Sequence, residues 1–315
     1  MLARPRALTR PAARGGPGNV RAAPHPYARA PACPSARKPF APALPRALPS
    51  APMTSATSAD PHDVPPSGLP ALTFHNPLSE ERAARIVARL AAARPASVLD
   101  VGCGWAELLR LLEAVPSAHG TGIDLRGEDL ARAGRQARDR GLDGRVRLYE
   151  ESARGTGRGP ADVVLCGGSG QALADPEAPD YLPRLFAELR RLVNPGGRVL
   201  LGEGFFTRTP GAGELARLWP GATAGDHPSL GALVDAVVAG GFRPLWTETA
   251  SASEREEFES GYRAAGEEWL ALHPDHPEAA ALRTRLDGQR AIWLDGHLGL
   301  LGIAWLTLVP VGRVG

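Results

Sequence analysis

The 315-residue sequence predicts an α/β fold built on a doubly wound, mostly parallel sheet. Three observations predict it. Short β-branched runs alternate with amphipathic helical segments from about residue 79 to residue 250. One run, Val98-Leu99-Asp100-Val101, passes at once into Gly102-Cys103-Gly104 and then into a helix carrying Leu108, Leu109, Leu111 and Leu112. Residues 1–70, by contrast, are rich in Pro, Ala, Arg and Ser without sustained periodicity, and are read as a disordered tail.

The elements follow in order. Ser79 is the expected N-cap of a first helix, with Glu80 and Glu81 in its first turn and Ala83, Ile86, Val87 and Leu90 on one face. Strands are expected at 97–101, 121–125, 146–149, 161–166 and 198–203, with helices at 107–114, 128–140 and 181–193 between them. Asn194-Pro195-Gly196-Gly197 stops the last of those helices. A helix at 229–239, ending at Gly240-Gly241, leads to a sixth strand at 242–250. The final strand is expected at 298–309. Helical signals at 253–272 and 277–294 lie between those two strands and define a cap over about 251–297.

Charge is unevenly placed. Residues 1–59 hold eight arginines, the only lysine (Lys38) and no acid, while the whole chain sums to +2. The folded part is therefore acidic, which argues against a nucleic-acid partner, since phosphate neutralisation needs clustered cations. Three cysteines, Cys33, Cys103 and Cys166, are too few and scattered for a disulfide framework, pointing to a reducing, cytoplasmic setting. No run of 18 apolar residues predicts a membrane span. The prolines of the tail interrupt the amphipathic helix of a transit peptide, and translation starting at Met53 is the preferred reading.

The glycine turn selects its ligand by charge. A dinucleotide site wants a third glycine where Glu107 stands, and a carboxylate there would repel a pyrophosphate. Asp100 and Glu107 instead suit a cation, and S-adenosylmethionine (SAM) carries a sulfonium and an ammonium. Asp124, closing the second strand, is placed to accept hydrogen bonds from both hydroxyls of a ribose. The glycines of Cys166-Gly167-Gly168-Ser169-Gly170-Gln171 let backbone approach a ligand, with Ser169 and Gln171 facing substrate. Glu203, at the end of the fifth strand, is a candidate for catalysis or for binding a polar group of substrate, and His75 a candidate lid residue or general base. His273-Pro274-Asp275-His276 reads as loop punctuation, with no metal expected. Phe258, Tyr262 and Trp269 recur at helical spacing on the cap, either packing on the sheet or closing a substrate pocket against water.

At these residues the chain resembles the class I SAM-dependent methyltransferases, whose first motif is D-x-G-x-G, here Asp100-Val101-Gly102-Cys103-Gly104. The resemblance spans about residues 72–309. It implies a Rossmann-like seven-stranded sheet with an antiparallel last strand beside the fifth, and methyl transfer to a small molecule, with no nucleic-acid or membrane partner. It also implies cofactor contacts at Asp100, Gly102, Cys103, Gly104, Asp124, Leu125 and Gly167, with Leu125 packing on the adenine. After the third strand the family has an acid followed by a small residue. Here Ser152 and Ala153 take those positions and Glu151 sits one residue early, so Glu151 and Ser152 both remain candidates. Tyr262 and Trp269 stand with Ser169 and Gln171 as substrate contacts. Two other classes stand beside it: a SAM-binding protein without catalysis, which the first motif does not separate from an enzyme, and a dinucleotide-dependent oxidoreductase, against which Glu107 speaks.

Overall fold

The computed structural model describes residues 72–312. The expectations for the tail and for a start at Met53 lie outside the described residues.

Helix α1 (Glu80–Ala91) begins where the Ser79 hydroxyl accepts from the Arg82 amide and buries Ala83, Ile86 and Leu90. It leads into β1 (Ser97–Val101), α2 (Leu108–Ala114), β2 (His119–Asp124), α3 (Gly127–Asp139), β3 (Val146–Glu150), β4 (Ala161–Gly167) and α4 (Tyr181–Leu192). Then come β5 (Val193–Phe206), a short α5 (Ala212–Leu215), α6 (Leu230–Ala239), β6 (Phe242–Thr249), α7 (Ala252–Leu272), α8 (Ala279–Ala291) and β7 (Leu301–Pro310). The strands form one sheet in the order β3-β2-β1-β4-β5-β7-β6. Only β7 runs against its neighbours, between β5 and β6. The chain reverses its winding between β1 and β4, and in such sheets the crevice at the strands' carboxyl ends is where ligands bind.

Each face of the sheet is covered by helices. On one, Val164, Cys166, Val199 and Leu201 pack with Leu185, Phe186 and Leu189 of α4 and Leu233 and Val237 of α6. On the other, Val98, Val163 and Trp305 pack with α1, α2 and α3 through Leu90, Leu108, Leu112 and Ala133. Gly120 and Gly122 alternate on β2 beneath that second layer. A Cβ at Gly120 would lie 2.5 Å from a Leu108 methyl, and one at Gly122 would lie 2.8 Å from Cys103 Sγ.

Two boundaries differ from expectation. The fifth strand begins at Val193, because Val193 pairs with Ala161 and Asn194 Nδ2 donates to Asp162 Oδ1 at 2.8 Å. The Pro-Gly-Gly segment is thus an irregularity within the ladder, with Gly196 at φ 76°. The final strand begins at Leu301, because Ile292–His297 winds into a π-helical turn. The short α5 carried no periodicity from which to expect it. Among the described residues no helix is long and apolar enough to cross a membrane.

Candidate active site

The β1 turn is built on left-handed backbone. Gly102 and Gly104 have φ of 63° and 50°. A Cβ at Gly102 would lie 2.6 Å from Ser169 Cβ, so only a glycine lets the β1 turn and the β4 loop close on each other. Ala106 shares this conformation at φ 68°, a position where a side chain is costly. Cys103 is buried against β2, its amide donating to the Ile123 carbonyl at 3.0 Å.

Asp100 lies under the turn rather than in the crevice. It is 5% exposed, and its carboxyl accepts from the Leu108 amide at the start of α2. Burial, and then repulsion from Glu107, holds it well above the usual carboxylate range. Asp100, expected at the cofactor, braces the glycine turn from beneath.

Asp124 ties β2 to the turn. One carboxylate oxygen accepts from the Gly104 amide at 2.8 Å and the other from the Arg126 amide at 2.9 Å. Each oxygen keeps a further lone pair. Beside it Leu125 is 71% exposed, an apolar side chain left uncovered at the crevice. After β3, Glu151 turns away into a two-pronged pair with Arg158 at 2.6 and 2.7 Å. Ser152 stays exposed, and Ala153 packs in the core beside Val101 and Ile123.

On the other bank the structure adds a residue that sequence reasoning missed. Asn76 Nδ2 donates to the Gly167 carbonyl at 3.1 Å, and the Asn76 side chain also hydrogen-bonds the Glu107 carboxyl. A Cβ on Gly168 would strike Asn76 Oδ1. One amide thereby bridges the two loops that flank the crevice. An Asn before Pro77 reads as a turn residue, and nothing in its spacing marks the bridge.

His75 lies over Gly104 and stacks on Trp105, with ring centroids 4.7 Å apart and planes within 7°. The Trp105 indole in turn donates to the Thr73 carbonyl at 2.8 Å. Burial, with Arg126 repulsion next, lowers the His75 pKa to about 4. It is therefore a neutral ring at physiological pH and a weak base.

Glu203 points to the α4 side of β5. It accepts from the Tyr181 hydroxyl at 3.0 Å and from the Gly204 amide at 3.2 Å, close under Gly170 of the β4 loop. Burial raises its pKa to about 7, against those two hydrogen bonds.

Two residues expected to contact substrate, Ser169 and Trp269, are buried. The Ser169 hydroxyl donates to the Val101 carbonyl at 2.5 Å, which fastens the β4 loop to β1. Trp269 is 6% exposed and packs with Leu270, Ala279, Leu282 and Leu286 inside the cap, between the rings of His273 and His276. Gln171 stands half-exposed, its Nε2 donating to the Gly168 carbonyl at 3.4 Å. Tyr262 and Phe258 of α7 pack on Leu72 and Trp105, which brings the cap to the edge of the turn.

Comparison with known proteins agrees with this geometry. Residues 98–197 match the family described as a methyltransferase domain. The uncharacterised protein YjhP of Escherichia coli K12 is 27% identical over 216 residues, covering 68% of this chain and 84% of YjhP. The X-ray structure of YjhP superposes with a TM-score of 0.65 at 25% identity, covering 76% of this chain and 95% of that one. A SAM-dependent methyltransferase from Geobacter sulfurreducens, solved with S-adenosyl-L-homocysteine, gives a TM-score of 0.67 at 24% identity, covering 76% and 95% of the two chains. Its counterpart from Thiobacillus denitrificans, also with S-adenosyl-L-homocysteine, gives 0.66 at 24% identity, covering 75% and 94%. The match to a methyltransferase domain thus falls on the segment from β1 to the start of β5, and the solved neighbours share the fold around it.

Proposed function

We propose that this protein transfers a methyl group from SAM to a small-molecule acceptor by in-line displacement. One observation carries the reading. The Asp124 carboxylate clamps the Gly104 amide, so that β2 and the glycine turn form a single rigid cradle with acceptor lone pairs to spare for a ribose diol. SAM, when bound, supplies a methyl group on a sulfonium that is already a good leaving group.

The residues present fit that ligand. Gly102 and Gly104 let backbone approach it, Leu125 offers an uncovered apolar face for a base, and Ser152 and Ala153 stand on the far side of that base. Gly167 and Asn76 line the end where the β1 and β4 loops meet. His75, neutral and stacked on Trp105, serves as a lid that keeps water from the turn. Gln171 and Tyr262 face the acceptor.

Alignment of nucleophile and methyl does most of the work, and positioning of this kind supplies about 7–11 kcal/mol. An acceptor that arrives protonated also needs a base. Glu203, with a pKa of about 7 and Tyr181 to steady its charged form, is the residue suited to take that proton. The acidic balance of residues 60–315 favours a small acceptor over nucleic acid.

Calorimetric titration of SAM, S-adenosylhomocysteine and NAD tests the reading, followed by methyl release with candidate acceptors. Micromolar binding of the first two, lost at least about tenfold in Asp124→Ala, is the expected result. Unchanged SAM affinity in that variant, or binding of NAD alone, overturns it.

A further inference from the structure

The carboxyl end of β5 meets the first residue of β7, where Phe206 pairs with Leu301. Arg255, at the end of the first turn of α7, reaches this corner from the cap, and its Nη1 donates to the Leu301 carbonyl at 2.6 Å. That bond fixes the guanidinium. Its other edge, Nε with Nη2, makes no hydrogen bond among the described residues, and the Nε atom is buried. A buried donor on a charged group with nothing to donate to is costly, and few such groups survive in a folded protein without a use.

Carboxylates take this same edge elsewhere in the molecule. Arg82 grips Glu254 through Nε and Nη2 at 2.8 and 2.9 Å, and Arg158 grips Glu151 through the same two atoms at 2.6 and 2.7 Å. Among the described residues no acid does so at Arg255. Glu254, its neighbour in sequence, is taken up by Arg82, Ser79 and Ser251. Glu259, one turn on, lies 3.4 Å from Arg263 and 3.8 Å from His297 Nδ1. Glu256 and Glu257 are exposed to solvent. The guanidinium also stands near the amino end of a 21-residue helix, where the dipole disfavours a cation and favours an anion. The strand ends it touches, at Phe206 and Leu301, are buried and apolar, so an ion pair made here is weakly screened.

We propose that the Nε–Nη2 edge of Arg255 binds a carboxylate of the acceptor, which makes the acceptor class a small carboxylic acid. The inference rests on the methyl-transfer reading of the crevice. The edge offers two parallel N–H donors to one carboxylate, and its single charge matches a monoanion, where a phosphate dianion would want a second cation. A guanidinium already held by the Leu301 carbonyl loses little freedom when it binds. Three residues of β5, about 10 Å of strand, separate Phe206 from Glu203. That distance keeps an anchored carboxylate apart from the acceptor group that Glu203 serves.

The test is titration of the full chain with benzoate, benzamide and inorganic phosphate at matched ionic strength, with and without S-adenosylhomocysteine, following the arginine Nε–H signals by NMR. Arg255→Lys identifies the Arg255 signal by its loss. That variant keeps the charge and a donor for the Leu301 carbonyl but lacks the two-pronged edge. A saturable shift of the Arg255 signal by millimolar benzoate is expected, with no shift by benzamide and weaker binding of phosphate. Calorimetry should show benzoate affinity falling about tenfold or more in Arg255→Lys. No saturable shift with benzoate, an equal response to benzamide, tighter binding of phosphate, or undiminished benzoate affinity in the variant overturns the proposal. The wild-type titrations decide the matter alone if the variant does not fold. Failure of S-adenosylhomocysteine to bind, with the benzoate shift intact, is a failure of the methyl-transfer reading and not of the carboxylate site.

Discussion

Glu254, in the first turn of α7, accepts from both the backbone amide and the hydroxyl of Ser79, at 3.0 and 2.7 Å. Ser79 is the N-cap of α1, so one buried carboxylate joins the starts of two helices that lie 175 residues apart in sequence. The same carboxylate takes two bonds from Arg82 and one from the Ser251 amide. Arg82 extends the network to Glu248 on β6, where Arg89 also binds. The helical cap is thereby latched to the edge of the cofactor crevice.

Breaking the latch exposes its energetics. Glu254→Ala leaves the half-buried Arg82 with Glu248 alone and frees the Ser79 and Ser251 amides, a change that costs about 1–3 kcal/mol. Urea denaturation should show the loss. Burial pushes the Glu254 pKa up, but the hydrogen bonds from Arg82, Ser251 and Ser79 outweigh it and set the value at about 2. A depressed carboxylate stabilises fully above its unfolded value of about 4.5, and that stability is lost as pH falls from there through about 2. The acid limb of the denaturation profile should flatten in Glu254→Gln.

Glu203 gives the opposite sign. Its folded pKa of about 7 is above the unfolded value, so its contribution to stability declines as pH rises from about 4.5 to 7. Its charged form, which can accept a proton, grows over the same approach to neutrality. The methylation rate of a protonated acceptor should therefore rise with pH through about 7, and Glu203→Gln should abolish that limb. Tyr181→Phe removes a hydrogen bond that favours the carboxylate, so the limb should move to higher pH.

Trp269 and Tyr262 separate packing from ligand contact. Trp269→Ala empties the centre of the cap and should cost about 3–5 kcal/mol in a melting experiment, with KM unchanged in the molecules that remain folded. Tyr262→Ala should raise KM for the acceptor with a smaller loss of stability. Equal effects of the two substitutions on KM would contradict the assignment of Trp269 to the core.

The turn itself offers a paired test. Gly102→Ala brings a Cβ against Ser169 and strains a left-handed residue, for an expected loss of about 1–3 kcal/mol together with SAM affinity. Ala106→Gly relaxes the same kind of strain and should raise Tm, by about 1 kcal/mol in stability terms.

The strand–turn–helix at Asp100–Leu112 and the βα alternation were legible because they rest on local pattern: short β-branched runs, helical spacing and a glycine turn. Asp124 was legible for the same reason, as an acid at a strand end at the expected distance from the turn. Asn76, Ser169 and Trp269 were not, since each is defined by what it meets across the fold. Ser169 meets a β1 carbonyl, Asn76 bridges two loops, and Trp269 finds partners on α8. A hydroxyl in a glycine-rich loop looks the same in sequence whether it faces a ligand or a neighbouring strand. The start of β5 escaped because proline and glycine within a ladder read as a turn.

The paired glycines of β2 have an evolutionary corollary. The layer between β2 and the helices above it has no slack: a single methyl at Gly122 would push first on Cys103, in the middle of the turn, and on Leu148 beside it. Drift at that position would register as a drop in ligand affinity well ahead of any failure to fold. A lineage that had given up methyl transfer and kept the scaffold would be expected to show it there early, as a bare strand position acquiring a side chain.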